Sequence, residues 1–237
     1  MKKLVVFLAL LCLIPSFAFA EGELTVTQKN LIVFDDDDTG WFYARVENTG
    51  DEPIYSDSGS LVLFTPDDEI LLTESYVRTS PSYMLLNPGE YAYVSSFLWD
   101  SALEDNEVGD VKFSIGEDDD GYEYETIPSE AEMDLEGVDS YENYINVTFT
   151  NSTDEILYDF AICVAMTDTN GDLVFVDSDS TSTIGLHPGS SMTIKVYVDN
   201  DLMTYYDAHG ITPVSYTHLD VYKRQPVRNA GKRSKGA

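Results

Sequence analysis

One stretch of this chain is written twice. Phe42-Tyr-Ala-Arg-Val-Glu-Asn-Thr-Gly-Asp-Glu-Pro-Ile-Tyr55 aligns without a gap with Ile145-Asn-Val-Thr-Phe-Thr-Asn-Ser-Thr-Asp-Glu-Ile-Leu-Tyr158, 103 residues downstream. The register continues through Leu61-Val-Leu onto Val164-Ala-Met and Ile70-Leu-Leu onto Leu173-Val-Phe. After a loss of three residues, Leu86-Asn-Pro-Gly falls on Leu186-His-Pro-Gly. A unit repeated at this length implies two copies of one small architecture.

Within each copy the hydrophobic period is two. Phe42, Ala44 and Val46 alternate with Trp41, Tyr43, Arg45 and Glu47. Ile145, Val147 and Phe149 alternate with Asn146, Thr148 and Thr150, and Met192, Ile194, Val196 and Val198 repeat the pattern. β-branched and aromatic residues in strict alternation predict half-buried strands. Turn signals recur about every ten residues, and helix is expected only near Ser101 to Asn106 and Asn200 to Tyr206. About seven strands per copy match an immunoglobulin-like sandwich, and alternating faces need a second sheet to cover them. The expected fold class is therefore all-β, with two tandem immunoglobulin-like β-sandwich domains over residues 21–120 and 121–214. Twelve carboxylates and no basic residue lie between Gly116 and Asn143, so an extended hinge or a ragged strand is expected at the joint.

The second copy carries Ile156-Leu-Tyr-Asp, Asp168-Thr-Asn-Gly-Asp-Leu-Val and Leu186-His-Pro-Gly. This pattern resembles the FxLYD-like family of immunoglobulin-type domains in exported bacterial proteins. The first copy departs from it, with Thr65-Pro-Asp-Asp-Glu where the second has the Asn-Gly turn. The resemblance implies an extracellular or envelope-associated module without enzymatic activity of its own, and it brings no catalytic residues.

Export is also expected from residues 1–20. Lys2 and Lys3 precede an apolar run from Leu4 to Phe17, and Ala18-Phe19-Ala20 is a small-x-small cleavage site before Glu21. The run is shorter than the roughly 20 residues a membrane span needs. Cys12 follows Leu11, where a lipoprotein signal needs a small residue, so a secreted or cell-surface protein is expected. The bacterial character of the signal makes the sequons Asn146-Val-Thr and Asn151-Ser-Thr irrelevant. Cys163 is the only cysteine after the signal and lies in an apolar run, as a buried thiol does.

Between Glu21 and Val214, 42 acidic residues face only Lys29, Arg45, Arg78, Lys112 and Lys195, a net charge of −37. Such a surface repels nucleic acid and anionic lipid and favours cations and basic partners. Asp168, Asn170, Asp172 and Asp179 have the 1, 3, 5, 12 spacing of a calcium loop. Positions 6 to 9 of that loop are Leu173-Val-Phe-Val, however, a strand that separates Asp172 from Asp179 by about 20 Å. The expected structure is therefore a hairpin turning at Asn170-Gly171. Weak calcium candidates remain in two acidic runs, Asp35, Asp36, Asp37 and Asp38, and Glu117 with Asp118, Asp119 and Asp120, where converging loops offer oxygen ligands. Solvated loop charge is the competing reading of both.

No catalytic set assembles. His187 is a turn residue matched by Asn87, His209 precedes Gly210, and His218 lies in a segment of different composition. No carboxylate pair stands out as a hydrolase dyad. From about Pro213 the composition inverts, with Lys223, Arg224, Arg228, Lys232, Arg233 and Lys235 crowded together. Residues 215–237 resemble translated adapter sequence, so they are expected to be non-native and the second domain to lack its last strand. The expected function is a non-enzymatic binding or spacer protein with an unidentified protein or glycan partner, no nucleic acid and no membrane insertion. Tyr122, Tyr124, Tyr205 and Tyr206 are its possible contact residues, although partial burial in the core is the commoner role of such tyrosines. A calcium-dependent adhesion or carbohydrate-binding module is the alternative, and an exported hydrolase ranks last.

Overall fold

In the computed structural model, residues 21–35, 38–127, 131–139, 142–158, 160–181, 185–212 and 214–224 are described. The signal sequence with Cys12, the candidates Asp36 and Asp37, and the basic residues after Arg224 lie outside them. Among the described residues no helix is long and apolar enough to cross a membrane.

The chain is β-rich, built of small antiparallel sheets. In the first half, β1 (Leu24–Val33), β2 (Thr39–Asn48), β8 (Tyr91–Trp99) and β6 (Thr79–Ser80) form one sheet in the order β1-β2-β8-β6. A second sheet, in the order β5-β4-β9, joins β4 (Gly59–Phe64), β5 (Ile70–Val77) and β9 (Asp110–Ser114). Small ladders of β3 (Ile54–Ser56), β7 (Leu85–Leu86) and β10 (Glu117–Asp118) close one end. In the second half, β12 (Ala131–Asp139), β13 (Glu142–Thr150) and β16 (Ser191–Val198) make one sheet. The other runs β11-β17-β14-β15, from β11 (Tyr124–Ile127), β17 (Val214–Arg224), β14 (Phe160–Thr167) and β15 (Leu173–Thr181).

The duplication holds residue by residue. Leu61 pairs with Glu74 as Val164 pairs with Asp177, and Phe42 pairs with Ser96 as Ile145 pairs with Val196. The Ile54–Leu86 pair of the first half returns as an isolated Leu157–Leu186 bridge in the second. Alternation places Phe42, Ala44 and Val46 in a buried cluster with Leu61 and Leu63 of the facing sheet. Ile145, Val147 and Phe149 are likewise buried with Ile162 and Val164. The two expected helices form as α1 (Ala102–Asp105) and α2 (Asn200–His209). Asp199 caps α2 by accepting from the Asp201 N–H at 3.0 Å, and Gly210 ends it with φ 64°.

Of the two alternatives for the acidic joint, hinge or ragged strand, the strand forms. Tyr122 still bonds Tyr83 and Leu85 of the first half, and β11 and β12 then enter the sheets of the second. The place of the second half's last strand, expected to be empty, is occupied. Val214–Arg224 lies beside β14 as β9 lies beside β4, with β11 on its other side. The vacant place beside β14 is a row of backbone donors and acceptors, and a Val-, Tyr- and Thr-rich segment satisfies them whatever its charge.

Candidate functional site

Strand β2 has a second apolar face. Trp41 and Tyr43 point away from the Phe42 core. Phe97 of β8 lies opposite Trp41, and Tyr93 lies diagonal to Tyr43. Tyr91 and Trp99 continue the aromatic series along β8, where Phe97 and Trp99 stay exposed. Trp41 stacks on Tyr43 at 6.0 Å and meets Phe97 at 5.1 Å. On the corresponding face of the second half the same strands carry Thr148 bonded to Thr193 and Thr150 bonded to Ser191, each at 2.7 Å. Lys195 there lies 3.8 Å over the Tyr144 ring. Tyr144 and Tyr197 keep rings at the places of Trp41 and Phe97, whereas Asn146, Ser191 and Thr193 stand where the first copy has Tyr43, Tyr91 and Tyr93.

The difference follows from what covers each face. Ile32, Phe34, Tyr43 and Tyr93 belong to the same buried cluster as Val174, Val176, Leu202 and Tyr206 of the second half. Tyr43 and Tyr206 are each only 1% exposed, and burying a side chain of this size contributes roughly 1.5–3 kcal/mol. Polar contacts fix the alignment. Gln28 Nε2 donates to the Gly171 carbonyl, Asn30 Nδ2 donates to the Leu173 carbonyl at 2.7 Å, and His209 lies 3.5 Å from the Asp35 carboxylate. Tyr206 Oη donates to the Val174 carbonyl, which fixes α2 on β15.

This interface perturbs the groups it encloses. Burial first, then the neighbouring Tyr206, Asp177 and Asp199, push the Tyr43 hydroxyl well above its usual pKa. Burial also raises the Asp177 carboxyl. A hydrogen bond from the Ser178 N–H opposes the rise, and the charge of Asp179 adds to it.

Beside the interface, an open cleft of about 640 Å³ separates edge strand β1 from edge strand β9. Leu31, Val33, Val108, Val111 and Tyr205 supply its apolar lining, and Asp35, Glu107, Asp110 and Lys29 its charge. Chemically it offers what a recognition groove needs: apolar surface, backbone edge groups and a few charges.

The calcium-like stretch is a hairpin turn. Asp168 Oδ1 accepts from the N–H groups of Asn170 at 2.8 Å and Asp172 at 2.9 Å, and Gly171 N–H donates to the Asp168 carbonyl at 3.1 Å. Burial acts upward on the Asp168 carboxyl, but these bonds outweigh it and hold the pKa below its usual value. Asp179 pairs with Ile162, well along β15 from Asp172. The turn differs in detail from the expected two-residue form. Only Gly171 has positive φ, at 90°, so the turn runs from Asp168 to Gly171 with Asn170 in ordinary backbone.

The other acidic candidates are engaged separately. Asp38 Oδ2 accepts from Trp99 Nε1 at 2.6 Å, and Asp35 faces His209. Asp118 accepts from the N–H groups of Asp119 at 2.7 Å and Asp120 at 3.3 Å, and Asp120 from Gly121 N–H at 2.9 Å. Asp118 and Asp119 also line an open cleft of about 540 Å³ with Glu21 and Glu117. No three His, Cys, Asp or Glu residues among those described converge as a metal would require.

His187 forms the expected turn, accepting from Ser190 N–H at 3.0 Å. Cys163 is buried in the core. Of the tyrosines weighed as contact or partial-core residues, Tyr206 is buried inside the molecule and Tyr122, Tyr124 and Tyr205 are half-buried, as the core reading has it. Sequence reasoning missed Trp41, Tyr43, Tyr93 and Asp177 as interface residues. The signal was present in the comparison of the copies, where Tyr43 falls on Asn146 and Trp41 on Tyr144.

No protein-family model matches the sequence, and no curated protein matches it. Solved structures with similar regions include a red sea bream transglutaminase, at 8% identity and a TM-score of 0.25, covering 85% of this chain and 29% of that one. A Bacteroides uniformis β-glucuronidase aligns at 8% identity and a TM-score of 0.22, covering 75% of this chain and 27% of that one. The C-terminal globular domain of a Pyrococcus abyssi oligosaccharyltransferase aligns at 8% identity and a TM-score of 0.23, covering 85% of this chain and 47% of the other. The chain thus spans under a third of the length of the two enzymes and under half of the archaeal domain.

Proposed function

We propose that this is an exported, non-enzymatic binding or spacer protein, made of two immunoglobulin-like modules of the FxLYD-like kind locked into one rigid body. The observation that carries this reading is the burial of Tyr43 and Tyr93, on the outer face of β2 and β8, in one cluster with residues of the second half. Two modules on a free linker keep separate polar surfaces, and inter-domain motion is their default. Here the Tyr43 and Tyr93 part of an aromatic sheet face is committed to the neighbouring copy, so the pair holds a fixed spacing and presents a fixed surface. The acidic exterior keeps that surface soluble and selects against anionic partners.

Small-angle scattering of the chain starting at Glu21, with calorimetry, tests this reading. A single compact particle and one cooperative transition are expected. Two independent transitions, or a distribution of separated modules, would remove the rigid-pair reading. Adding millimolar calcium discriminates the adhesion alternative. The spacer reading expects an unchanged melting temperature, and a rise of several degrees would transfer support to a calcium-dependent module.

A further inference from the structure

Among the described residues, the duplicated design leaves one strand position filled in the second half and open in the first. In the second half, β17 is bonded on one side to β14 and on the other to β11, with Tyr124 opposite Arg224 and Ile127 opposite Val221. In the first half the equivalent strand, β9, is bonded to β4 and ends its sheet. The described residues before β1, 21–23, do not play the part of β11. Glu21 and Glu23 instead bond to Asp51 and Thr49 at the end of β2. The position that a fourth strand would take coincides with the cleft of about 640 Å³ between β1 and β9.

We propose that this cleft is a strand-acceptor groove. Its occupant is an extended segment of a partner polypeptide in which apolar residues alternate with lysine or arginine, added to the edge of β9. Adding a strand to a free sheet edge draws affinity from main-chain hydrogen bonds and specificity from alternate side chains. Both components are in place. Val111 turns its N–H and C=O away from β4, and each is covered by a surface charge: the Asp110 carboxylate accepts the N–H at 2.8 Å, and Lys29 Nζ donates to the carbonyl. Charged side chains over an exposed edge are how proteins keep it from indiscriminate pairing. These covers are side chains at the surface, which an incoming backbone replaces bond for bond. Leu31, Val33, Val108 and Tyr205 supply the apolar lining, and Asp35, Glu107 and Asp110 outnumber Lys29 at the rim. That imbalance, within a body of net charge −37, selects a basic strand over an acidic one.

The groove names the partner of the binding module proposed above and rests on that reading. The test titrates the whole chain from Glu21 with a synthetic peptide of alternating valine and lysine, with amide hydrogen exchange as the readout. Saturable binding is expected, with exchange at Val111 and Phe113 slowed about ten-fold or more. The same peptide N-methylated at alternate residues, and its valine–glutamate counterpart, are each expected to bind about ten-fold more weakly. Val111→Pro removes an N–H that β4 does not use, a change that edge strands tolerate, and it is expected to abolish binding. The N-methylated peptide gives the same information without altering the protein. Equal binding of the methylated peptide, protection confined to Asp118–Asp120, or no saturation by about 1 mM overturns the proposal. Dimerisation of the chain that Val111→Pro abolishes assigns the edge to a second copy and overturns it equally. The rigid-pair reading is measured by scattering on the chain alone. Loss of peptide binding with an intact compact particle therefore defeats the groove and leaves that reading standing.

Discussion

Asn48 and Asn151, 103 residues apart, make the same hydrogen bonds at the same place in the two halves of the molecule. Each is fully buried. Asn48 Nδ2 donates to the carbonyls of Glu52 at 2.8 Å and Leu86 at 2.9 Å, and Asn151 Nδ2 donates to those of Glu155 at 2.8 Å and Leu186 at 2.9 Å. The backbone carbonyls of the two asparagines accept from Gly89 and Gly189, both at 2.8 Å, in the Pro-Gly turns. One side chain thus ties the end of a strand to the turn that begins the neighbouring strand.

Replacing either asparagine by alanine removes the two bonds its Nδ2 donates and the one its Oδ1 accepts from the Gly50 or Thr153 N–H, each worth about 1 kcal/mol. Asn48→Ala and Asn151→Ala are each expected to lower unfolding stability by about 3 kcal/mol, with similar midpoint shifts in urea. A loss below about 0.5 kcal/mol at either site would show that the bonds are replaced by water.

The β4–β5 and β14–β15 hairpins use the same turn with different residues at its strained position. Asp68 has φ 63° and donates to the Thr65 carbonyl, as Gly171, at φ 90°, donates to that of Asp168. The left-handed region disfavours any side chain with a Cβ by roughly 1 kcal/mol. Asp68→Gly is therefore expected to stabilise the first half by about 0.5 kcal/mol once the added freedom of the unfolded chain is subtracted. Gly171→Ala is expected to destabilise the second by about 1 kcal/mol. Matched denaturation curves of the two variants check the opposite signs.

The strands, the hairpin at Asp168 to Gly171 and the duplication itself were legible because each rests on local periodicity or turn chemistry. The acidic joint left hinge and strand both open because a count of carboxylates conceals their spacing. Ala131, Met133 and Leu135 alternate with Glu132, Asp134 and Glu136 there, a strand pattern in its own right. For Val214–Arg224 the change of composition was real, but backbone pairing is indifferent to net charge. The docking of the halves was hidden for a different reason. An aromatic residue such as Tyr43 in the outward phase of a strand is compatible with solvent, and only its mismatch with Asn146 marks a covered face.

Tyr43 and Tyr206 test that docking. Tyr43→Ala empties a fully enclosed site between the halves, and loss of a buried aromatic costs about 3–5 kcal/mol. Tyr206→Phe keeps the ring and removes only the donor to the Val174 carbonyl, for an expected loss of about 1–2 kcal/mol. Calorimetry of Tyr43→Ala is expected to split the single transition in two, whereas Tyr206→Phe shifts it without splitting. A Tyr43→Ala protein with the parent's melting profile would show that the halves do not depend on this contact.

Asp177 gives the interface a pH dependence of definite sign. Burial raises its folded-state pKa above the unfolded value, and Asp179 reinforces the rise. A carboxyl raised on folding favours the folded state most where it is protonated, below its unfolded pKa of about 3.9. That contribution is lost as pH climbs through the raised folded value. At neutral pH the charge is a standing cost, and Asp177→Asn is expected to relieve it. The variant should be more stable than the parent at pH 7, and the difference should shrink as both are titrated into acid. Urea unfolding of the two proteins at matched ionic strength from pH 4 to 8 measures this. A difference that stays flat, or that grows toward acid, would mean that the Ser178 hydrogen bond outweighs burial and that the carboxylate is held charged.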